Sequence, residues 1–113
     1  LETGDRERCM TRRVVYSPRV REQLTDLYNW IADESGFSDR AESYITAILD
    51  YCDDLTAFPL IGVARDDLRS GLRTIGFDRR VMIAFVVTDE TVDVLGIYYG
   101  GRNFENLIAS DIV

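Results

Sequence analysis

The feature that most constrains the fold is an unbroken apolar run, Val81–Val87. Side chains alternate between the two faces of a strand, so a run without polar residues predicts a strand that is covered on both faces. A short polar break follows, and residues 92–99 return as a second strand. Before the apolar run, a further strand is predicted from residue 72 to residue 75, followed by a turn at residues 76–78. The sequence therefore predicts an antiparallel three-strand meander.

Two amphipathic helices are predicted before the meander. Ser17 and Pro18 favour a helix start, because serine can cap free amides and proline fits the first helical position. Gly36 is expected to end this helix, Ser38 to cap the next one, and Pro59 to stop it. The apolar residues recur at helical spacing: Val20, Leu24, Leu27, Tyr28 and Ile31, then Ala41, Ile45, Ile48, Cys52 and Leu55.

The predicted element order is β-α-α-β-β-β. Residues 14–16 favour a short first strand, residues 59–67 a loop, and residues 103–109 a short terminal helix. Helices grouped before an antiparallel meander indicate an α+β fold, in which a helical hairpin packs on a small antiparallel sheet. One domain is expected over residues 10–113, with residues 1–9 as a polar tail or an upstream segment outside the fold.

Charge and composition restrict the classes of function. Twenty acidic residues against 13 basic ones give a net charge of −7, which disfavours broad binding of nucleic-acid phosphates. Every basic residue is arginine, so the cations of this chain can clamp anions but cannot serve as general bases. Cys9 and Cys52 form no Cys-x-x-Cys pair and the chain lacks histidine, so neither a metal nor a cofactor is expected. Without a signal peptide or a membrane span of ~20 apolar residues, a cytoplasmic protein is expected.

Three motifs that combine arginine with glycine or proline carry a resemblance to a known family. The first is Phe58-Pro59 followed by Gly62 and Arg65, the second is LRSGLR at residues 68–73, and the third is YGGRN at residues 99–103. In this order and spacing they resemble the RelE/ParE superfamily of bacterial toxins over about residues 10–107, closer to its ParE branch. The resemblance implies that the first strand joins the meander's sheet and that the helical hairpin packs on one face.

The chain departs from the ParE-like pattern at several strand positions. Phe85-Val86 stands where ParE-like chains often carry tyrosine and arginine, Gly96 where they often carry arginine, and Tyr99 where they often carry histidine. These departures remove charged and proton-transferring groups from the sheet. They weaken an interpretation as a nuclease more than an interpretation as a binding protein.

The resemblance implies a ParE-like toxin of a type II toxin–antitoxin module. Such a toxin is expected to inhibit DNA gyrase by binding, to be neutralised by a cognate ParD-like antitoxin, and to bind neither membranes nor specific nucleic-acid sequences. A RelE-like, ribosome-dependent endoribonuclease is the alternative, although it needs proton-transfer groups that are hard to find without histidine and lysine. A degenerate, non-toxic member that only binds its antitoxin is the third hypothesis.

The candidate site residues fall into two sets. The target-binding set comprises Arg69, Arg73, Arg79, Arg80, Tyr99 and Arg102, of which a nuclease would use Arg73, Arg80, Tyr99 and Arg102 for catalysis. The antitoxin-binding set comprises aromatic residues that widen the apolar faces of the helices, Trp30, Tyr44, Tyr51 and Phe58. For each arginine, a surface ion pair is the alternative role. Tyr98 and Tyr99 are expected to face opposite sides of their strand, and the sequence leaves open which one is buried.

Overall fold

The computed structural model describes residues 12–57 and 61–99. The elements are β1 (Arg13–Tyr16), α1 (Pro18–Ser35), α2 (Ser38–Asp54), β2 (Val63–Ala64), β3 (Leu72–Phe77), β4 (Val81–Val87) and β5 (Thr91–Tyr99). The strands form one sheet in the order β1-β5-β4-β3-β2, so the apolar run of β4 lies at its centre as predicted. The α+β class and the helical hairpin are confirmed. Neither described helix combines the length and apolar character that crossing a membrane requires.

The sheet is mixed, whereas the sequence predicted a small antiparallel sheet. The meander is antiparallel, but β1 runs parallel to β5, with Val14 opposite Val92. A parallel neighbour needs a long crossover connection, and the chain between β1 and β5 includes the helical hairpin. The structure also contains a strand that the sequence did not predict. This strand, β2, lies in the segment predicted as a loop and pairs with β3 through Val63 and Ala64. Two residues are too few for a strand pattern in the sequence.

The ends of the helices follow local capping chemistry. The Ser17 hydroxyl accepts a hydrogen bond from the Val20 amide at 3.3 Å, and Gly36 ends α1 in the left-handed region with φ of 76°. Both predictions are confirmed. The predicted cap at Ser38 is wrong, because Ser38 is already helical and Phe37 occupies the N-cap position without a side-chain cap. The Ser35 hydroxyl instead accepts from the Phe37 amide at 3.1 Å, so the loop is held from the end of α1. Pro59 lies outside the described residues.

The main core lies between the helical hairpin and one face of the sheet. Its fully or almost fully buried members come from both helices, the residue that follows α2, and the strands β4 and β5: Val20, Leu27, Ile48, Cys52, Leu55, Val81, Ile83, Phe85, Val92, Val94 and Ile97. Cys52 is a core residue, as predicted, and burial raises the pKa of its thiol to about 12, so it stays protonated at neutral pH. A smaller cluster of Leu72, Ala84 and Tyr98, called here the second-face cluster, lies on the opposite face of the sheet.

A β-bulge in β5 decides which tyrosine is buried. Ala84 pairs with Gly96 while Phe85 pairs with Val94, so Leu95 is an extra residue in β5. Val94 faces the helices before the bulge, and the extra residue shifts the alternation so that Tyr99 faces them after it. Tyr98 is therefore buried on the second face, where it is 4% exposed, and Tyr99 packs on the helical side.

The start of α1 holds the bulge in place. The Gln23 side-chain oxygen accepts a hydrogen bond from the Ile97 amide at 2.7 Å. The Ser17 amide donates to the Val94 carbonyl at 3.1 Å, and the Ser17 hydroxyl donates to the Leu95 carbonyl at 3.4 Å. These contacts satisfy backbone groups at the bulge, where the strand ladder is interrupted.

Replacing Gln23 with alanine is expected to lower the free energy of unfolding by about 1–3 kcal/mol, because the part-buried Ile97 amide loses its acceptor. Urea denaturation measures this change. Gln23→Glu is the matched control, since it keeps an acceptor oxygen at the same reach and is expected to destabilise less. Equal stability of the alanine and glutamate variants would contradict the role given to this hydrogen bond.

Candidate functional site

Side chains from both helices and two strand ends meet in a groove at one end of the sheet. The groove has a volume of about 760 Å³ and is lined by residues that include Trp30 and Glu34 of α1, Asp39, Arg40 and Tyr44 of α2, Arg80 before β4, and Tyr99 at the end of β5. It therefore brings together two residues of the predicted antitoxin-binding set and two of the predicted target-binding set.

Trp30 and Tyr99 form the aromatic part of the groove. Their ring centroids lie 4.8 Å apart with an interplanar angle of 57°, and Trp30 remains 46% exposed. Arg80 lies beside this pair, and its hydrogen bond to Tyr99 raises the pKa of the guanidinium above its usual value. Arg80 therefore stays protonated and offers a fixed positive charge next to an exposed aromatic surface. Tryptophan, tyrosine and arginine are the residues most enriched at energetically dominant positions in protein interfaces.

Tyr44 forms the buried wall of the groove. Its ring packs edge-on against Phe77 with the centroids 5.7 Å apart, and its hydroxyl is shielded from solvent. Burial, and next the carboxylate of Asp78, raise the pKa of this phenol. Tyr44 is therefore neutral at physiological pH and does not serve as a base.

The chemistry of the groove suits binding. Arg40 and Arg80 supply positive charge, Glu34 and Asp39 supply negative charge, and the charges surround an aromatic centre. An apolar centre with a polar rim is the usual anatomy of a protein–protein interface. Among residues 12–57 and 61–99, no group of three or more histidine, cysteine, aspartate or glutamate side chains could hold a metal ion.

The turn between β3 and β4 lies two residues later along the chain than the sequence predicted. The turn was expected at residues 76–78, but Gly76 and Phe77 belong to β3. Asp78, Arg79 and Arg80 connect the two strands. Asp78 and Arg79 lie in the left-handed region with φ of 54° and 60°, and the Arg80 amide donates to the Phe77 carbonyl at 3.2 Å. Such turns match the twist of a hairpin, and they favour Asp-Gly. Arg79 projects from this turn and is exposed.

Arg79→Gly is expected to raise the free energy of unfolding by about 1 kcal/mol, because glycine adopts a positive φ without the steric penalty that arginine bears. Thermal denaturation measures the change. Arg79→Ala removes the same charge but keeps the Cβ atom, so it is expected to leave the stability close to that of the parent chain. A glycine variant that is less stable than the alanine variant would contradict the strain argument.

The predicted target-binding arginines do not form one cluster. Arg73 lies near the start of β3, opposite Phe85, whereas Arg79 and Arg80 follow the other end of this strand, which lies roughly 13 Å away at the rise of an extended chain. The Arg73 guanidinium donates to the Ile61 carbonyl at 3.1 Å and to the Gly62 carbonyl at 3.5 Å, so it helps to hold β2. These arginines were predicted to form one site because they are close along the chain, but the length of β3 separates them in space.

The remaining candidates of the target-binding set lie apart from the groove or outside the described residues. Arg69 is exposed in the turn before β3. In the same turn, the Arg65 guanidinium forms a bidentate ion pair with the Asp67 carboxylate at 3.0 Å. Arg102 lies outside the described residues. Of the four residues that a nuclease would use, the structure therefore brings together Arg80 and Tyr99.

The antitoxin-binding set is also divided. Trp30 and Tyr44 line the groove. Tyr51 packs against Phe77 with ring centroids 5.2 Å apart, and its hydroxyl donates to the Gly76 carbonyl at 3.4 Å, so it lies beside β3 and not in the groove. Phe58 lies outside the described residues.

Sequence reasoning missed three of the charged residues of the groove, Glu34, Asp39 and Arg40. Arg40 and Asp39 lie in the first turn of α2, and Glu34 lies in the last turn of α1. The short loop of the helical hairpin brings these turns together. The predicted hairpin could therefore have indicated that these charged side chains lie close to one another. The Arg40 guanidinium lies 5.8 Å from the centre of the Phe37 ring, which keeps this loop close to the groove.

Comparison with known proteins gives consistent matches. Residues 14–104 match the family described as "ParE toxin of type II toxin-antitoxin system, parDE". The chain is 28% identical over 90 residues to "Toxin ParE1" from two strains of Mycobacterium tuberculosis, which covers 80% of this chain and 91% of each relative. A solved structure titled "Chromosomal ParDE TA system from P. aeruginosa" has a TM-score of 0.68 at 17% identity, covering 80% of this chain and 98% of that chain. At this identity, the structural likeness supports the fold alone.

Proposed function

Because the chain belongs to the ParE toxin family of type II toxin–antitoxin systems, we propose that it inhibits DNA gyrase by binding it and that a cognate ParD-like antitoxin neutralises it. The observation that carries the proposal is the exposed Trp30 ring packed on Tyr99 beside the protonated Arg80. This arrangement can hold another macromolecule, and it requires no proton transfer.

The groove also suggests how neutralisation works. Trp30 and Tyr44, proposed to bind the antitoxin, line the same groove as Arg80 and Tyr99, proposed to bind the target. Two macromolecules cannot occupy one groove of about 760 Å³ at the same time. The antitoxin therefore neutralises the toxin by covering the residues that the target needs, without any change in the fold of the toxin.

The charge of the groove supports binding more than bond cleavage. Arg80 stays protonated next to Tyr99, so it can neutralise an anionic group of a partner but cannot accept a proton. The neutral phenol of Tyr44 is shielded from solvent on the groove wall. These side chains contribute positive charge and apolar surface, which are the properties that a binding site uses.

Arg80→Ala is expected to weaken inhibition of gyrase supercoiling by about tenfold, equivalent to ~1.4 kcal/mol of binding, because a fixed cation is removed from the interface. The concentration of purified chain that halves supercoiling measures this effect. Arg21→Ala is the matched control, since it removes an exposed arginine of α1 that does not line the groove. An equal loss in both variants would remove Arg80 from the proposed site.

A supercoiling assay with the unsubstituted chain tests whether gyrase is the target. It is expected to block supercoiling by purified gyrase, and the cognate antitoxin is expected to restore it. No effect on gyrase, together with cleavage of messenger RNA on translating ribosomes, would replace this proposal by the endoribonuclease. Inactivity in both assays with retained antitoxin binding would identify a non-toxic member of the family.

A further inference from the structure

The charged side chains that line the groove are not neutralised from within the chain. They are Glu34, Asp39, Arg40 and Arg80. Within residues 12–57 and 61–99, the ion pairs lie elsewhere, between Arg19 and Glu22 and between Arg65 and Asp67. The charges of the groove can therefore form their ion pairs with a partner, and their positions indicate which groups that partner carries.

Arg80 lies in the aromatic corner of the groove. Its guanidinium forms a hydrogen bond with Tyr99, whose ring packs on Trp30 with the centroids 4.8 Å apart. Because this contact orders the guanidinium before a partner binds, little further side-chain freedom is lost on binding. Arginine binds a carboxylate through two parallel N–H···O hydrogen bonds. The half-exposed Trp30 ring beside it can cover the aliphatic stem of the side chain that carries the carboxylate.

This corner contains more hydrogen-bond donors than acceptors. The buried Tyr44 hydroxyl has no hydrogen-bond partner in the described part of the chain. Burial, followed by the negative charge of Asp78, raises the pKa of Tyr44, and the same charge adds to the effect of Tyr99 on the pKa of Arg80. Asp78 forms no ion pair with Arg80, however. It therefore balances this corner only from a distance, and an anionic oxygen from a partner would complete it.

The rest of the groove favours a protein over a nucleic acid as the source of this oxygen. Glu34 and Asp39 line the same groove and would repel a chain of phosphates, as would the net charge of −7. A polypeptide can place one carboxylate at Arg80 and keep apolar or basic side chains beside the two acidic residues.

We propose that Arg80, held between Tyr99 and Trp30, forms a subsite for one side-chain carboxylate of the protein that occupies the groove. Asp78 sets the affinity of this subsite, because its negative charge repels the incoming carboxylate. The identification of that protein as the antitoxin rests on the function proposed above. The subsite itself is a property of the free chain and can be tested without any partner.

A small carboxylate with an aliphatic tail, sodium hexanoate, serves as the probe, and hexanamide is its neutral counterpart. Trp30 is the single tryptophan of the chain and lines the groove, so its fluorescence reports on this site. At constant ionic strength, hexanoate is expected to bind saturably with a dissociation constant on the order of millimolar, about fivefold tighter than hexanamide. Equal affinity for the two probes, or no saturable response to hexanoate, would overturn the proposal. Tighter binding of inorganic phosphate than of hexanoate would overturn it in favour of a nucleic acid.

Two arginine variants locate the cation. Arg80→Gln is expected to weaken hexanoate binding about tenfold and to leave hexanamide binding unchanged. Arg21→Gln is the matched control, since it removes the same charge from an exposed position of α1 that does not line the groove, and its affinity is expected to match that of the parent chain. A loss in Arg40→Gln without a loss in Arg80→Gln would overturn the assignment to Arg80.

Asp78→Asn provides a test in which binding is gained. It is expected to tighten hexanoate binding about threefold, because it removes a repelling charge, and asparagine accepts the positive φ of this position. Hexanamide binding is expected to stay the same. Unchanged or weaker binding of hexanoate by this variant would contradict the role given to Asp78, and damage to the fold cannot imitate the expected gain.

The purified antitoxin, with its acidic residues replaced one at a time by the corresponding amides, connects the subsite to the partner. One of these replacements is expected to weaken binding to the parent chain about tenfold and to have little further effect on Arg80→Gln. An antitoxin that binds the parent chain and Arg80→Gln equally well would overturn the subsite and leave the proposed function intact. An antitoxin that fails to bind the parent chain would contradict the proposed function, while the hexanoate titrations still decide the subsite.

Discussion

Replacing Phe85 with alanine is expected to lower the free energy of unfolding by about 3–5 kcal/mol, the largest change predicted for this chain. Phe85 is fully buried at the centre of β4, and its ring packs in the core beneath the helical hairpin. Its removal leaves a cavity that the neighbouring strands cannot close, because β4 is hydrogen-bonded on both sides. Domains of this size are stabilised by about 5–15 kcal/mol in total, so a measurable fraction of the variant is expected to unfold at physiological temperature.

Phe85→Leu is the matched control for the cavity. Leucine keeps most of the apolar volume and is expected to lower the free energy of unfolding by about 1.5 kcal/mol. Urea denaturation followed by circular dichroism compares the two variants. If alanine and leucine destabilise the chain equally, the effect comes from a lost contact specific to the ring and not from the cavity.

Trp30→Ala is expected to weaken antitoxin binding by at least 30-fold, equivalent to about 2 kcal/mol, because it removes the largest exposed aromatic surface of the groove. The melting temperature is expected to change little, since almost half of the side chain is exposed before binding. Isothermal titration calorimetry with the purified antitoxin measures the dissociation constant. Under the competition proposed above, the same variant also inhibits gyrase less well.

Asn29→Ala is the control for Trp30, since Asn29 is exposed on the same helix turn but does not line the groove. Its affinity for the antitoxin is expected to match that of the parent chain. Unchanged binding by both variants would exclude the groove as the antitoxin site. A loss of antitoxin binding with unchanged gyrase inhibition would show that the two partners use different surfaces, which contradicts neutralisation by competition.

The sequence predicted those parts of the fold that depend on local chemistry. The helix α1 begins after Ser17, at Pro18, and ends before Gly36. These ends were predictable because capping and backbone conformation act within a few residues. The central strand followed from an apolar run that only a doubly covered position tolerates. Trp30, which the sequence placed among the aromatic residues that widen the apolar faces of the helices, lines the groove.

The features that the sequence did not predict depend on distant parts of the chain. The bulge at Leu95 is held by Gln23 and Ser17, which lie more than 70 residues earlier. The two-residue strand β2 is held by pairing with β3 and by the hydrogen bond from Arg73, so its own two residues do not predict a strand. The separation of Arg73 from Arg80 follows from the length of β3, and spacing along the chain gives no measure of it.

The bulge in β5 has a consequence for how this protein can evolve. Substitutions around it leave the alternation of the strand intact, but the gain or loss of a single codon between Val94 and Tyr98 would reverse the side on which every later residue points. Tyr98 would then turn toward the helices and Tyr99 away from them. Related genes should therefore vary in the identity of these residues and keep their number.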